Sequence, residues 1–483
     1  CRQLMRLLAL DGNWNGAIRL YGKCRQLLAT ELHVEPAPQT TDLYNRILRA
    51  RGNAGNYHLP INHTPLFGRQ NELTELNRLL RQPHAPLITI LGMGGVGKTR
   101  LAMALLAQNQ GGFLEGVRFI PLTDVTDGLA FLHAIAGQLS LKLSAKQPAN
   151  TQIVSHLADK EMLLLFDNFE HLADEVDFLG EILQNAPHIK MVVTSREKLN
   201  LREETLFDLT GLTTPPEAVA HAEEDTFGAV QLFVHRAKQV QRDFSPENEW
   251  GCMAELCRFM VGLPLGLELA GGALRGQECR HLLQALRSNY DALHSDWRNL
   301  PTRHRSLRAT FDYSWGLLPA AEQHLYAQLA IFQGGFSLVA AQTILGCRPH
   351  QLQSLVDKSL VQAVDDRFQL HRTLQGFAAE KLGQMEVGAV WERYAGFYAG
   401  ILTSQEAALI SPQATTATAT ITQDWANIRQ AWGWMAENGD DAGIEKGIEA
   451  MSRYHALRGT FAELQHIYKE TLGHLDAGDT VQH

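Results

Sequence analysis

Residues 92–99 read GMGGVGKT and fit the pattern G-x-x-x-x-G-K-[ST]; nothing else in the chain restricts its fold so narrowly. Such a loop works only between a buried strand and the start of a helix. Its glycines turn successive N–H groups toward one anion, and the helix adds its positive end. Both neighbours are present: LITIL (87–91) reads as the strand and KTRLAMALLAQ (98–108) as the helix. The loop, Gly92, Met93, Gly94, Gly95, Val96 and Gly97, with Lys98, Thr99 and Arg100 opening the helix, is therefore expected to hold nucleotide phosphates. Lys98 would bridge the β- and γ-phosphates, and Thr99 would place its hydroxyl on Mg²⁺.

Further apolar runs follow at VRFIPL (117–122), MLLLFD (162–167), KMVVTS (190–195) and LFDL (206–209), alternating with amphipathic helices. That alternation predicts a parallel α/β sheet. Asp167 ends one of these strands, where a second ligand of the same Mg²⁺, direct or through water, belongs. Arg196 follows another. In a sheet with one strand inserted between the loop strand and the Asp strand, that tip faces the γ-phosphate, so Arg196 is expected to sense it. Asn168 stands where fast hydrolases of this type carry an acid. An amide orients water without taking its proton, which predicts slow turnover, and Glu170 lies two positions out of that register. No N-K-x-D stretch occurs, which tilts the base toward adenine, hence ATP and ADP.

At 483 residues the chain exceeds what one core supports, and it must be modular. Residues 1–50 read as helical hairpins, 51–64 as a linker, 65–215 as the nucleotide-binding domain and 216–300 as a helical domain. Residues 301–385 mix helices with the short pair SLVQAV and RFQLH, which suits a winged helix; 386–483 read as the start of helical repeats. The expected fold class is multidomain α/β plus α, a P-loop parallel-sheet NTPase followed by helical, winged-helix and repeat regions. A net charge of −9 argues against a protein that coats nucleic acid, so any DNA contact is local. No apolar run approaches the ~18 residues of a membrane helix. The six cysteines form no C-x-x-C pair, which argues for reduced thiols in a cytoplasmic setting and against structural zinc. The chain lacks an initiator Met and starts inside a helical run, as expected of a piece of a longer protein.

Beyond the loop, DNFEHL (167–172), VVTSRE (192–197), GLPLGLELA (262–270), LRATFDYSWGLLPAAEQHLYAQLAIFQGGFSL (307–338) and QLHRTLQGFAAEKL (369–382) form an ordered set. Together they resemble the STAND class of NB-ARC-like signalling ATPases, and more narrowly the large transcription regulators of the AfsR/SARP and MalT-like kind. The N-terminal LLALDGNWNGAIRLYGKCRQLLATELHVEPAPQTTDLYNRI is similar to the end of a bacterial transcriptional activator domain. The resemblance implies that Phe67, Gly68 and Arg69 of PLFGR border the adenine and that Pro264 presses on the base or ribose. It sets His371 against the β-phosphate of ADP, although Arg372 follows where the related motif has Asp. It implies an ADP-bound closed state that an inducer and ATP open and slow hydrolysis resets. It also implies an inducer site in TPR-like repeats, of which DWANIRQAWGWMAENGD (424–440) resembles the first, DNA contact through a domain upstream of Cys1, and self-association on activation. Two other readings stay open: a defence or signalling STAND protein whose effector does not bind DNA, and a motor or transport ATPase, against which Asn168 argues.

Overall fold

The computed structural model describes residues 1–53, 59–60, 65–217, 219, 226–274, 278–288, 306–358, 360–370 and 372–479. They gather into two compact units, Cys1–Thr310 and Phe311–His483.

The first unit opens with three helices, α1 (Arg2–Leu10), α2 (Trp14–Leu27) and α3 (Pro38–Asn53). The break between the first two is the expected Asp11-Gly12-Asn13 turn. Gly12 takes a φ of 78, and the Asn13 side chain caps α2 by accepting from the Gly16 N–H at 2.9 Å. α3 runs three residues into the stretch expected to be linker. Met5, Ala9, Ala17, Tyr21, Leu43, Ile47 and Ala50 form the core of this module, and Leu114 of the following domain completes it. Arg6 and Arg46 both donate to Oε2 of the buried Glu161, at 2.8 and 3.0 Å.

After α4 (Gln70–Leu80) comes a five-stranded sheet of β1 (Leu87–Leu91), β2 (Val117–Pro121), β3 (Met162–Asp167), β4 (Ile189–Ser195) and β5 (Glu204–Asp208). The order is β2-β3-β4-β1-β5 and every pairing is parallel. β1 and β3 are buried at every residue, as continuous apolar runs require when helices cover both faces. β5 starts two residues before the apolar run that signals it. It is an edge strand with Leu206 at 46% exposure, so its ends are set by pairing with β1 rather than by burial. α5 (Lys98–Gln108), α6 (Gly128–Gln138), α7 (Ala149–Leu157) and α8 (Val176–Asn185) flank the sheet. On one side Phe131, Phe166, Phe169 and Phe178 pack edge to face or tilted, at centroid distances of 5.8–6.2 Å. Among the described residues four helices form the cap of this unit: α9 (Gly228–Val240), α10 (Pro246–Phe259), α11 (Pro264–Ala273) and α12 (Cys279–Ser288).

α13 (Leu307–Gly316) leads into the second unit. There α14 (Ala320–Gln328), β6 (Phe336–Ser337), α15 (Leu338–Leu345), α16 (Pro349–Asp357), β7 (Val361–Val364), β8 (Arg367–Leu370) and α17 (Arg372–Leu382) build a small helical body. Its antiparallel sheet has the order β6-β8-β7. The β7–β8 hairpin is the expected pair; β6, two residues long, carries no period to betray it. The remaining helices are α18 (Gly388–Gln405), α19 (Ala414–Gln423), α20 (Trp425–Glu437), α21 (Asp441–Arg458) and α22 (Phe461–Asp479). Asn427 ties this array to the small sheet, accepting from the Gln333 N–H and the Tyr394 hydroxyl and donating to the Gly335 carbonyl. Among the described residues no helix is long and apolar enough to cross a membrane.

Candidate nucleotide site

Because the sheet is parallel, its C-terminal edge gathers the end of β1, the end of β3 and the end of β4. The register sets Leu91 beside Ser195 and Asp167 beside Thr194, so β4 lies between the loop and the acid. From Gly92 the backbone passes through Gly95 and Gly97 at φ of 81 and 96, angles closed to most side chains, into the N-terminus of α5. The Lys98 ammonium is turned over the loop and donates to the carbonyls of Gly92 and Met93, at 2.6 and 3.3 Å. The Thr99 hydroxyl donates to Asp167 Oδ1 at 2.7 Å, and Thr194 donates to the same oxygen at 2.6 Å. Asp167 is buried, and desolvation pushes its carboxyl above the ordinary range against the pull of the two hydroxyls and Lys98. A hydroxyl and a carboxylate oxygen 2.7 Å apart suit neighbouring positions on Mg²⁺, whose ligands sit about 2.0–2.1 Å from the ion. Thr194 was not among the residues sequence pointed to; only its pairing with the acid, one strand over, reveals it.

Asn168 sits in the left-handed region at φ 70, which asparagine tolerates better than most residues. Its N–H donates to Thr194 Oγ1 at 2.9 Å, and its side-chain amide lies 3.4 Å from His171 Nδ1. The other His171 ring nitrogen lies 2.9 Å from the Val125 carbonyl, so His171 joins the site as a residue sequence did not flag. Arg196 Nε donates to Glu170 Oε1 at 3.0 Å, with the two side chains only 8% and 2% exposed. A Cβ on Gly94 would meet the Arg196 guanidinium at 2.8 Å, so this arginine lies against the loop. Glu170, which its register set aside, is thus a neighbour of the site through Arg196.

The helical cap closes over the loop from the other side. The Leu265 N–H, near the start of α11, donates to the Gly95 carbonyl at 3.1 Å, and a Cβ on Gly95 would strike the Leu265 side chain at 2.8 Å. Pro264, the first residue of α11, shares a cavity of about 20 Å³ with Phe67, Arg69, Val96, Gly97 and Arg100. That volume holds a water and is far below what a nucleobase needs. Phe67 packs on the His235 ring at 5.1 Å, and Gly68 crosses so close to Gly228 that a Cβ would meet its Cα at 2.6 Å. Arg69 is 3% exposed; it pairs with Glu72 and donates to the carbonyls of Val96 and Thr210 at 3.2 and 2.6 Å. Its guanidinium therefore latches the loop to the segment after β5. Arg100 reaches Glu268 on α11 at 2.9 Å and the Pro65 carbonyl at 2.7 Å. Just before α11, Val261 is held at φ 48, a strained angle for a β-branched residue. His371 lies outside the described residues.

A parallel sheet of this order, a phosphate loop after β1, an acid ending β3 and a helical cap bonded to the loop define a P-loop NTPase domain. Residues 65–244 match the AAA ATPase domain and residues 1–48 the bacterial transcriptional activator domain. Over 371 residues the chain is 31% identical to a Mycobacterium tuberculosis protein named as an HTH-type transcriptional regulator, a match covering 73% of this chain and 40% of that one. Over 406 residues it is 26% identical to the regulatory protein AfsR of Streptomyces griseus, covering 78% of this chain and 40% of AfsR. Among solved structures, a STAND protein with a tetratricopeptide repeat sensor from Pyrococcus horikoshii aligns over 88% of this chain and 59% of its own, with 16% identity and a TM-score of 0.30. The chain carries an ATPase domain behind an activator domain, as the STAND-type resemblance implied, and spans 40% of the length of the two regulators named here.

Proposed function

We propose that this chain is the nucleotide-controlled switch of a transcription regulator. The observation that carries this reading is the hydrogen bond from Leu265 to Gly95: the cap is fastened to the loop itself, over a cavity too small for a base. Seating adenine between Phe67 and Pro264 must move α11 away from Val96 and Gly97, so nucleotide occupancy and cap position are one equilibrium. Gly92 to Gly97 would cradle the phosphates, Lys98 would leave the Gly92 and Met93 carbonyls for the β- and γ-phosphates, and Arg100 would stay on Glu268 as the cap's tether. Mg²⁺, held by Thr99 and Asp167, would supply charge neutralisation at the phosphate oxygens. Thr194 positions Asp167. Asn168 would orient water but cannot take its proton, which keeps hydrolysis slow and suits a timer rather than a motor. Arg196 would report the γ-phosphate, and His371 would hold ADP in the closed state.

The ADP-bound form is then the resting form, opened by an inducer on the C-terminal helices together with ATP, with self-association and DNA contact, through a further domain of the regulator, following. The match of residues 1–48 to an activator domain favours DNA over a non-DNA effector as the output. The test is to denature the freshly purified chain and identify the released nucleotide by chromatography. One ADP per chain is expected; an empty chain that turns over added ATP steadily, without any partner, would replace the switch by a machine.

A further inference from the structure

We propose that Glu249, Cys252 and Cys279 form a site for a thiophilic divalent cation, Zn²⁺ foremost, that pins α10 to α12. Spacing along the chain hides it, since Cys252 and Cys279 belong to different helices and neither is part of a C-x-x-C pair. In the fold the Glu249 carboxylate and the two thiols bring their ligand atoms within 4.8 Å of one another. Glu249 and Cys252 are three residues apart and so lie on one face of α10, turned to the start of α12, where Cys279 is buried. Tetrahedral Zn²⁺ with sulfur at about 2.3 Å and oxygen at about 2.0–2.2 Å needs its ligands less than ~4 Å apart. A small inward turn of half-exposed Glu249 and Cys252 reaches that, and the same exposure leaves a fourth position for water. The two sulfurs already lie side by side, within 4.8 Å of each other and of the Glu249 carboxylate. Cation binding would release protons from the pair, and the cation would supply the positive charge that the buried Cys279 sulfur lacks.

The position gives the site a consequence. α10 ends at Phe259, and the chain then runs through Val261 and Gly262 to Leu265, the residue fastened to Gly95. A cation that locks α10 onto α12 stiffens the support of the clamp on the phosphate loop.

The experiment titrates the whole chain with Co²⁺ under anaerobic, reducing conditions and reads the thiolate-to-cobalt charge-transfer and tetrahedral d–d absorption, with Zn²⁺ as competitor. One equivalent is expected, with bands lost in Cys252→Ser and Cys279→Ser and kept in the control Cys1→Ser/Cys24→Ser. Glu249→Gln should weaken binding by at least roughly tenfold, the loss typical even of an outer-shell partner. Since Cys279 is buried and its replacement can unfold the cap, Cys252→Ser and Glu249→Gln, checked for native circular dichroism, decide the matter. Absence of thiolate bands in the wild type, or bands that survive Cys252→Ser, would overturn the site. So would a folded chain that takes no cobalt while a thiol oxidant joins the two cysteines as a disulfide with loss of two hydrogens, which would make them a redox pair.

Discussion

The Arg196 guanidinium is bonded to the Glu170 carboxylate at 3.0 Å, both side chains buried and the arginine lying against Gly94 of the phosphate loop. A residue placed to read a γ-phosphate is thus already held by an internal anion. If Arg196 reads the γ-phosphate as proposed, phosphate and carboxylate would compete for one guanidinium, and Glu170 would set the threshold at which ATP is sensed. Arg196→Ala is expected to weaken ATP at least roughly tenfold more than ADP, and Glu170→Gln to strengthen ATP relative to ADP. Calorimetric titration with both nucleotides checks this, and equal losses for both would remove Arg196 as a sensor. Glu170→Ala, which removes one partner of a buried ion pair, should in addition cost about 3–5 kcal/mol of stability.

Lys98→Ala should leave the chain folded and empty. Its ammonium donates to the Gly92 and Met93 carbonyls of the loop, so the substitution acts first on the loop. Chromatography of the denatured variant checks the nucleotide, and ADP retained at wild-type stoichiometry would contradict the phosphate-loop assignment.

Asp167→Asn should separate stability from function. Burial raises the Asp167 carboxyl above its unfolded range, so the folded chain binds a proton more readily than the unfolded one. Stability contributed here is present at acid pH and falls as pH rises from the unfolded carboxylate range through the raised folded value. Without Mg²⁺, the amide should therefore raise the melting temperature at neutral pH while abolishing the Mg²⁺ dependence of ATP binding. A variant that melts lower than wild type at neutral pH without Mg²⁺ would mean that the Thr99 and Thr194 hydrogen bonds outweigh desolvation.

Val261→Gly should relieve the left-handed strain before α11. Strain of this kind is worth about 1–3 kcal/mol, offset by the entropy glycine adds to the unfolded chain, so a gain of about 1 kcal/mol in denaturant unfolding is expected. A net loss would show that packing of the half-exposed valine matters more than its backbone.

Much of the sheet was legible because its signals are local. LITIL, MLLLFD and KMVVTS are strands within a residue of their apolar runs, since burial on both faces keeps most of their positions apolar. The loop, the acid and the strand between them followed from one motif and one register. What stayed hidden depends on pairs distant in sequence. Thr194 matters only because β4 sets it beside Asp167, and Leu265 only because α11 lands on Gly95. Glu170 was judged by its offset from Asp167, which says nothing of the arginine on the next strand. Arg69, expected at the base, also holds backbone, donating to the carbonyls of Val96 and Thr210 across a sequence distance that no local signal spans.

Glu161 immediately precedes β3, and Asp167 is its last residue. The first is where Arg6 and Arg46 of the N-terminal helices attach; the second faces the phosphate loop. Five extended, fully buried residues separate them, roughly 20 Å of backbone from one to the other. β3 is consequently a ruler with the N-terminal helices at its zero mark and the phosphate loop at its far end. Its length cannot drift: one added residue would turn every later side chain to the opposite face.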